Sequence, residues 1–260
     1  MVPAALRRER EGRSTHCVGC AGEIKSLRHP PASKSTRSLQ PTRLSHQPCD
    51  RMRGAEELGR PPMTREDLRV LLNKQNDVEF VEREVLGRCP WIFGDEKLYE
   101  MWRRLVADQL GLANESVWIV GSGATGYSLS PFKPGRPFRA LTSSVGATSD
   151  IDIALVAPEV FASAWDTILT FDRLRRLGGS IEDREKIRRD VYWGLVGQQS
   201  IPLNTGAART VITAMAAAGR TPPIRGYPLR CRIYRRLEDL RAYHVNSLRQ
   251  LRVELDAFGG

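Results

Sequence analysis

The chain has 260 residues, 41% of them apolar, and no apolar run approaches the ~18 residues that cross a bilayer as a helix. The formal net charge is +10, but residues 1–62 alone hold 12 Lys/Arg against 6 Asp/Glu, so most of the excess lies outside the part that reads as folded. Charge by itself therefore does not argue for a nucleic-acid binder. The five cysteines are irregularly spaced, which excludes a disulfide scaffold. The opening MVPAALRRER lacks the apolar run of a secretory leader, so the expected location is a reducing cytoplasm.

Residues 1–62 are rich in Arg, Ser and Pro and lack periodic apolar positions, which predicts a disordered basic tail. Met63 (or Met52) is the expected natural start, the tail being a mis-assigned beginning. His16, Cys17, Cys20, His29, His46 and Cys49 lie in that tail, but only the Cys17-x-x-Cys20 pair has a standard zinc spacing, so no zinc site is expected. The folded part is expected over residues 63–260, as a helical lead-in (63–115), a core (116–204) and a helix–strand–helix end (205–260).

The lead-in opens with a helix over Thr64–Leu86, where Thr64 and Asp67 resemble a capping box and Leu68, Leu71 and Leu72 share a face. A second helix is predicted over Asp95–Leu110, with Leu98, Met101, Trp102, Leu105 and Val106 as its inward stripe and Gly111 at its end. Ser116–Val120 has the length and apolar content of a short buried strand. A Gly-, Pro- and Ser-rich loop, Gly121–Ser149, leads to a second strand, Asp150–Val156; Leu141–Thr148 reads as a flexible insertion. Helices follow over Pro158–Leu177, with Phe161, Trp165, Ile168 and Leu169 inward, over Ser180–Trp193, and over Thr205–Ala218. Leu229–Tyr234 alternates like a strand. The last helix, Leu237–Leu255, turns Leu240, Tyr243, Leu248, Leu251 and Leu255 inward. The fold class is α/β, a small mixed sheet flanked by helices, with helical additions at both ends.

Two patterns compete for the chemistry of residues 117–156. Gly121-Ser-Gly123-Ala-Thr-Gly126 matches G-x-G-x-x-G after a strand, but a dinucleotide fold needs a helix to start within those glycines. Pro131, Pro134 and Pro137 follow at once, and each proline inside a helix costs about 3 kcal/mol. The second pattern is a strand ending in Gly121-Ser122, a loop, and a strand beginning Asp150-Ile-Asp152. Residues i and i+2 of a strand point the same way, so the two carboxylates project together. A divalent cation relieves their repulsion, and Mg²⁺ typically takes one or two carboxylates plus triphosphate oxygens. Gly121 allows close backbone approach to a phosphate, and Ser122 supplies a hydroxyl donor.

Val120-Gly121-Ser122 followed by Ser149-Asp150-Ile151-Asp152-Ile153 resembles the polymerase-beta-type nucleotidyltransferase superfamily, and Gly126–Lys133 with Gly135–Phe138 is similar to a bacterial branch of it. The resemblance covers residues 117–165. It implies transfer of a nucleoside monophosphate from an NTP to a hydroxyl of RNA, a protein, a small molecule or another nucleotide. Asp150 and Asp152 would be the catalytic pair and hold Mg²⁺ (or Mn²⁺), and Gly121 and Ser122 would bind the phosphates. Lys133 and Arg136, or Arg139, would balance the triphosphate charge. Two departures stand out. The spacer to Asp150 is long, and the third carboxylate that active members carry on a later strand has no candidate: Leu229–Tyr234 offers Arg230 and Arg232 instead. Glu182, Asp183 and Asp190 are substitutes on expected helices. The implied alternative is a catalytically degenerate module that binds a nucleotide, RNA or a partner protein, in the manner of an antitoxin. Trp165 and Trp193 are expected in the core, with Tyr192–Gly194 as a possible flank of the nucleotide pocket. His244 is expected to be structural or on the surface.

Overall fold

A computed structural model describes residues 64–141, 147–173 and 176–257. The expected tail, its Cys17–Cys20 pair, Met52 and Met63 as starts, and most of the insertion at 141–148 lie outside these residues.

Helix α1 (Arg65–Asn73) begins where the Thr64 hydroxyl accepts from the Asp67 N–H at 3.0 Å and the Asp67 carboxylate accepts from the Thr64 N–H at 3.1 Å. The expected single helix over Thr64–Leu86 is instead broken. Asn76 caps a second start, α2 (Asp77–Phe80), in a reciprocal box with Glu79, and α2 runs on as a π-helical segment, Val81–Leu86. The Asn76 side chain accepts from the Glu79 N–H (2.9 Å) and the Glu79 side chain from the Asn76 N–H (3.4 Å), amides that a continuous helix would have bonded to carbonyls, so the backbone gains little by continuing.

This break is held from the far end of the chain. In α8 (Leu237–Ala257), Arg252 donates to the Asp77 carboxylate (2.7 Å), to Asn73 Oδ1 (3.1 Å) and to the carbonyls of Leu72 (2.7 Å) and Gln75 (3.1 Å). Its planar fork satisfies the last turn of α1 and the start of α2 together. Arg252→Ala is expected to cost about 2–3 kcal/mol in urea unfolding, and Arg252→Lys to recover less than half of it, because an ammonium does not span four acceptors. A cost below about 0.5 kcal/mol for the alanine variant would show the clamp to be ornamental.

Helix α3 (Glu96–Leu110) lies between the Asp95 cap and Gly111, which adopts φ 65°. Its expected inward stripe is rotated. Tyr99, Trp102, Val106 and Ala107 are buried, whereas Leu98, Met101 and Leu105 are 47%, 68% and 38% exposed. Phe93 gathers the rings of Tyr99 and Trp102 at 5.2 and 5.5 Å, and burying two large aromatics outweighs burying Leu98, Met101 and Leu105.

The strands are β1 (Val117–Val120), β2 (Ile151–Val156), β3 (Leu195–Gly197) and β4 (Leu229–Tyr234), in the spatial order β1-β2-β4-β3. β1 and β3 run antiparallel to their neighbours, and β2 and β4 run parallel. The sheet is thus small and mixed, flanked by helices. The antiparallel β1–β2 pairing also excludes the dinucleotide fold, whose first two strands are parallel. β3 was not anticipated, since three residues show no legible alternation.

Both faces of the sheet are covered. Ile119, Ile151, Ile153, Leu155, Cys231 and Ile233 belong to one apolar cluster with residues of α3, α5 (Pro158–Arg173) and α7 (Gly206–Ala218). Arg176 and Leu177 lie outside α5, so the helix does not reach the expected Leu177. Val120, Ala154, Leu195 and Tyr234 belong to a second cluster with residues of α1, α2 and α8. On β1, α3 also supplies polar partners: the Ile119 N–H donates to the Tyr99 hydroxyl at 3.2 Å, and Arg103 Nε donates to the Val117 carbonyl at 2.9 Å. No helix among the described residues is long and apolar enough to cross a membrane.

Candidate functional site

The site lies where β1 ends and β2 begins. At the end of β1, Gly121 takes φ 65° and ψ −149° and turns the chain into α4 (Ser122–Thr125), which Gly126 closes at φ 84°. Asp150 stands immediately before β2, and Asp152, its second residue, is in register with Val120 of β1 and Arg230 of β4. Gly121 is needed here by the packing of the site itself. A Cβ on it would lie 2.8 Å from Asp152 Oδ2, so the missing side chain is the space that the Asp152 carboxylate fills.

Each aspartate carries an arginine. Arg230 Nη2 is 2.7 Å from Asp150 Oδ2, and Arg232 Nη1 is 3.3 Å from Asp152 Oδ1. In the β2–β4 register Arg230 faces Asp152 and Arg232 faces Ala154. Each guanidinium therefore reaches two residues back along the neighbouring strand, to a side chain on its own face of the sheet. The two pairs differ in burial. Arg230 and Asp150 side chains are 64% and 29% exposed, those of Arg232 and Asp152 31% and 25%.

Burial pushes the Asp152 carboxyl above the usual carboxylate range; Arg232, Arg230 and Lys133 pull it down and Asp150 pushes it up further. Lys133 thus lies within electrostatic reach of the site, from the turn in which its N–H donates to the Ser130 carbonyl (3.1 Å). Ser122 opens α4. The Arg136 carbonyl accepts from the Ser128 N–H (2.7 Å), and among the described residues Arg136 forms no ion pair with either aspartate. Arg139 exchanges hydrogen bonds with Ser149, next to Asp150: the Arg139 N–H donates to Ser149 Oγ (2.9 Å) and the Ser149 N–H to the Arg139 carbonyl (3.1 Å).

Comparison with protein-family models, with curated proteins and with solved structures finds no match.

Of the three substitute acids, two are elsewhere. Helix α6 (Ile181–Tyr192) begins at Ser180, where Asp183 closes a capping box at 2.8 Å; Glu182 and Asp183 are exposed, and their hydrogen bonds to Ser180 hold both carboxyls below the usual range. Asp190, in the last turn of α6, is half-buried. Burial raises its carboxyl, while Lys186, Arg189 and Arg232 pull it down, so it shares the field of Arg232. Among the described residues, no three His, Cys, Asp or Glu side chains converge as a metal site. Asp150 and Asp152 are two hard oxygen donors on one face, which suits Mg²⁺ (or Mn²⁺) completing its shell with ligand oxygens and water.

Behind Arg232 lies a polar cluster that the sequence did not disclose. The Arg232 guanidinium sits 5.8 Å from the centre of the Tyr243 ring, and Tyr243 meets the rings of Tyr234 (6.1 Å) and His244 (5.5 Å) edge-on. The Tyr234 hydroxyl and His244 Nε2 are buried and lack a hydrogen-bond partner among the described residues. Burial, reinforced by the Arg232 charge, lowers the His244 pKa to about 3. The sequence gives no hint of this, because only the packing of α8 on β4 brings these groups together. Trp165 and Trp193, expected in the core, are instead half-buried at the margins of the two apolar clusters, and Tyr192 is 81% exposed.

Proposed function

We propose that the chain is a nucleotidyltransferase-like module of the polymerase-beta type that binds a nucleoside triphosphate without transferring it. The observation that carries this reading is the strand beside the aspartates. Transfer calls for a third carboxylate there, to hold the cation that activates the acceptor hydroxyl, and β4 presents Arg230 and Arg232. A guanidinium neither binds a cation nor accepts a proton from a hydroxyl.

Nucleotide binding is supported by the Gly121-Ser122 turn next to the paired carboxylates and by Lys133 within the field of Asp152. Asp150 and Asp152 would hold Mg²⁺ (or Mn²⁺) together with triphosphate oxygens, and the ion would neutralise phosphate charge. Lys133 and Arg230 would orient the phosphate chain, and Gly121 would keep Asp152 against the turn. A second reading, a nucleotidyltransferase acting on an RNA or protein hydroxyl, is favoured by one observation: Asp190 shares the field of Arg232 and is the nearest substitute for the missing acid.

Equilibrium binding of each NTP with Mg²⁺, run beside transfer assays with NTPs labelled at the α-phosphate and cell-extract RNA and protein, tests the proposal. Binding without transfer, lost in Asp150→Ala with Asp152→Ala, is the expected result. Label in an acceptor, abolished by that double variant and by Asp190→Asn, would replace it with the enzyme reading. A folded protein that neither binds nor transfers would reduce the motif to a relic of the fold.

A further inference from the structure

The two arginine–aspartate pairs are near-copies in sequence, Arg-x-Arg beside Asp-x-Asp, yet they stand in different surroundings. Arg232 is fixed. Its side chain is 31% exposed, and its guanidinium lies over Tyr243, shares the field of Asp190, and neutralises an aspartate confined against Gly121. Moving it would leave Asp152 part-buried without its main counter-charge, which is strongly unfavourable. Arg230 is at the rim. Its side chain is 64% exposed and its partner Asp150 is 29% exposed, and such solvent-facing pairs contribute little to stability. A phosphate offers the same guanidinium a stronger, bidentate partner.

We propose that Arg230 is an exchangeable counter-ion: it occupies Asp150 in the ligand-free protein and transfers to the phosphate chain of a bound nucleotide, while Arg232 remains on Asp152 as a positioning residue. The inference rests on the nucleotide-binding reading and names the residue through which that site senses its ligand. While Arg230 holds Asp150, a free divalent cation must displace a guanidinium to bind. When Arg230 is on phosphate, the Asp150 carboxylate is open to the cation that accompanies the nucleotide. Cation and nucleotide thereby favour each other's binding through one side chain, and that coupling is reciprocal by linkage.

The test is Mn²⁺ binding followed by electron paramagnetic resonance, with and without each NTP, on the full chain, beside direct nucleotide titration and thermal melting. Wild type is expected to bind Mn²⁺ weakly alone and about tenfold or more tightly with nucleotide. Arg230→Gln is expected to bind Mn²⁺ alone more tightly than wild type, to bind nucleotide about tenfold more weakly, and to lose most of the coupling, at an unchanged melting temperature. Arg232→Gln, in contrast, is expected to melt earlier. Nucleotide binding that is indifferent to Arg230→Gln, or free Mn²⁺ binding that the variant leaves unchanged, overturns the exchange while leaving the nucleotide reading intact. A folded wild type that binds no NTP overturns the nucleotide reading itself, and the exchange with it.

Discussion

Gly121→Ala is expected to destabilise the protein by about 2–4 kcal/mol and to abolish nucleotide binding. At φ 65° and ψ −149°, Gly121 occupies a backbone region essentially closed to residues with a Cβ, a strain of about 1–3 kcal/mol. The new methyl would also lie 2.8 Å from Asp152 Oδ2, so the carboxylate must move and its 3.3 Å contact with Arg232 must change. Gly111→Ala separates the two effects. Gly111 adopts φ 65° and ψ 32°, an ordinary left-handed helix end, and its added Cβ would meet nothing within 4 Å. That variant should cost only about 1–2 kcal/mol and leave the site unaffected. Urea unfolding of both variants checks the difference; equal costs would mean that the contact with Asp152 adds nothing.

The second large effect is a loss of stability in acid that originates at His244. Its pKa of about 3 lies below the unfolded value near 6.5, because the ring is buried and Arg232 is close. The folded state therefore prefers the neutral ring. The stability it contributes is complete above pH 6.5 and is lost as pH falls from there toward 3, at up to about 1.4 kcal/mol per pH unit. Between pH 7 and 4.5 this amounts to roughly 2–3 kcal/mol. Asp67, Asp183 and Asp239, whose carboxyls are held low, also lose stabilisation in acid, whereas Asp152 and Asp190, held high, act in the opposite sense. His244→Gln isolates the imidazole, since the amide does not titrate. Unfolding free energies at pH 7 and 4.5 should differ less in the variant by that amount; identical differences would exonerate His244.

The sequence disclosed the site's two carboxylates because their information is local. Asp150 and Asp152 are two residues apart on one strand, and strand geometry alone puts them on one face. The capping box at Thr64, the start of α6 at Ser180 and the end of α3 at Gly111 were legible for the same reason. What stayed hidden depends on pairing between distant segments. Arg230 and Arg232 were visible as the wrong residues for a third acid, but only the parallel β2–β4 register makes them the counter-ions of Asp150 and Asp152. The rotation of α3 turned on Phe93 gathering Tyr99 and Trp102, a contact that a helical wheel does not contain. The role of Gly121 was seen as clearance for a ligand, whereas its nearest obligation is to Asp152. The break at Asn76 rests on a second local signal, the Asn76–Glu79 capping box, which apolar periodicity over Thr64–Leu86 masks.

A sheet of four short strands has two rims at which a foreign strand could add, and the treatment of β1 bears on how this protein behaves in a crowded solution. Tyr99 accepts from the Ile119 amide and Arg103 donates to the Val117 carbonyl, so side chains of α3 already occupy backbone groups of that rim. At the other rim, β3 offers only three residues, too short a template for stable pairing. Helix α3 thus has a duty apart from packing: it keeps β1 from serving as a seed for intermolecular strand exchange, and a lesion at Tyr99 or Arg103 would show itself as self-association before it showed itself at the aspartates.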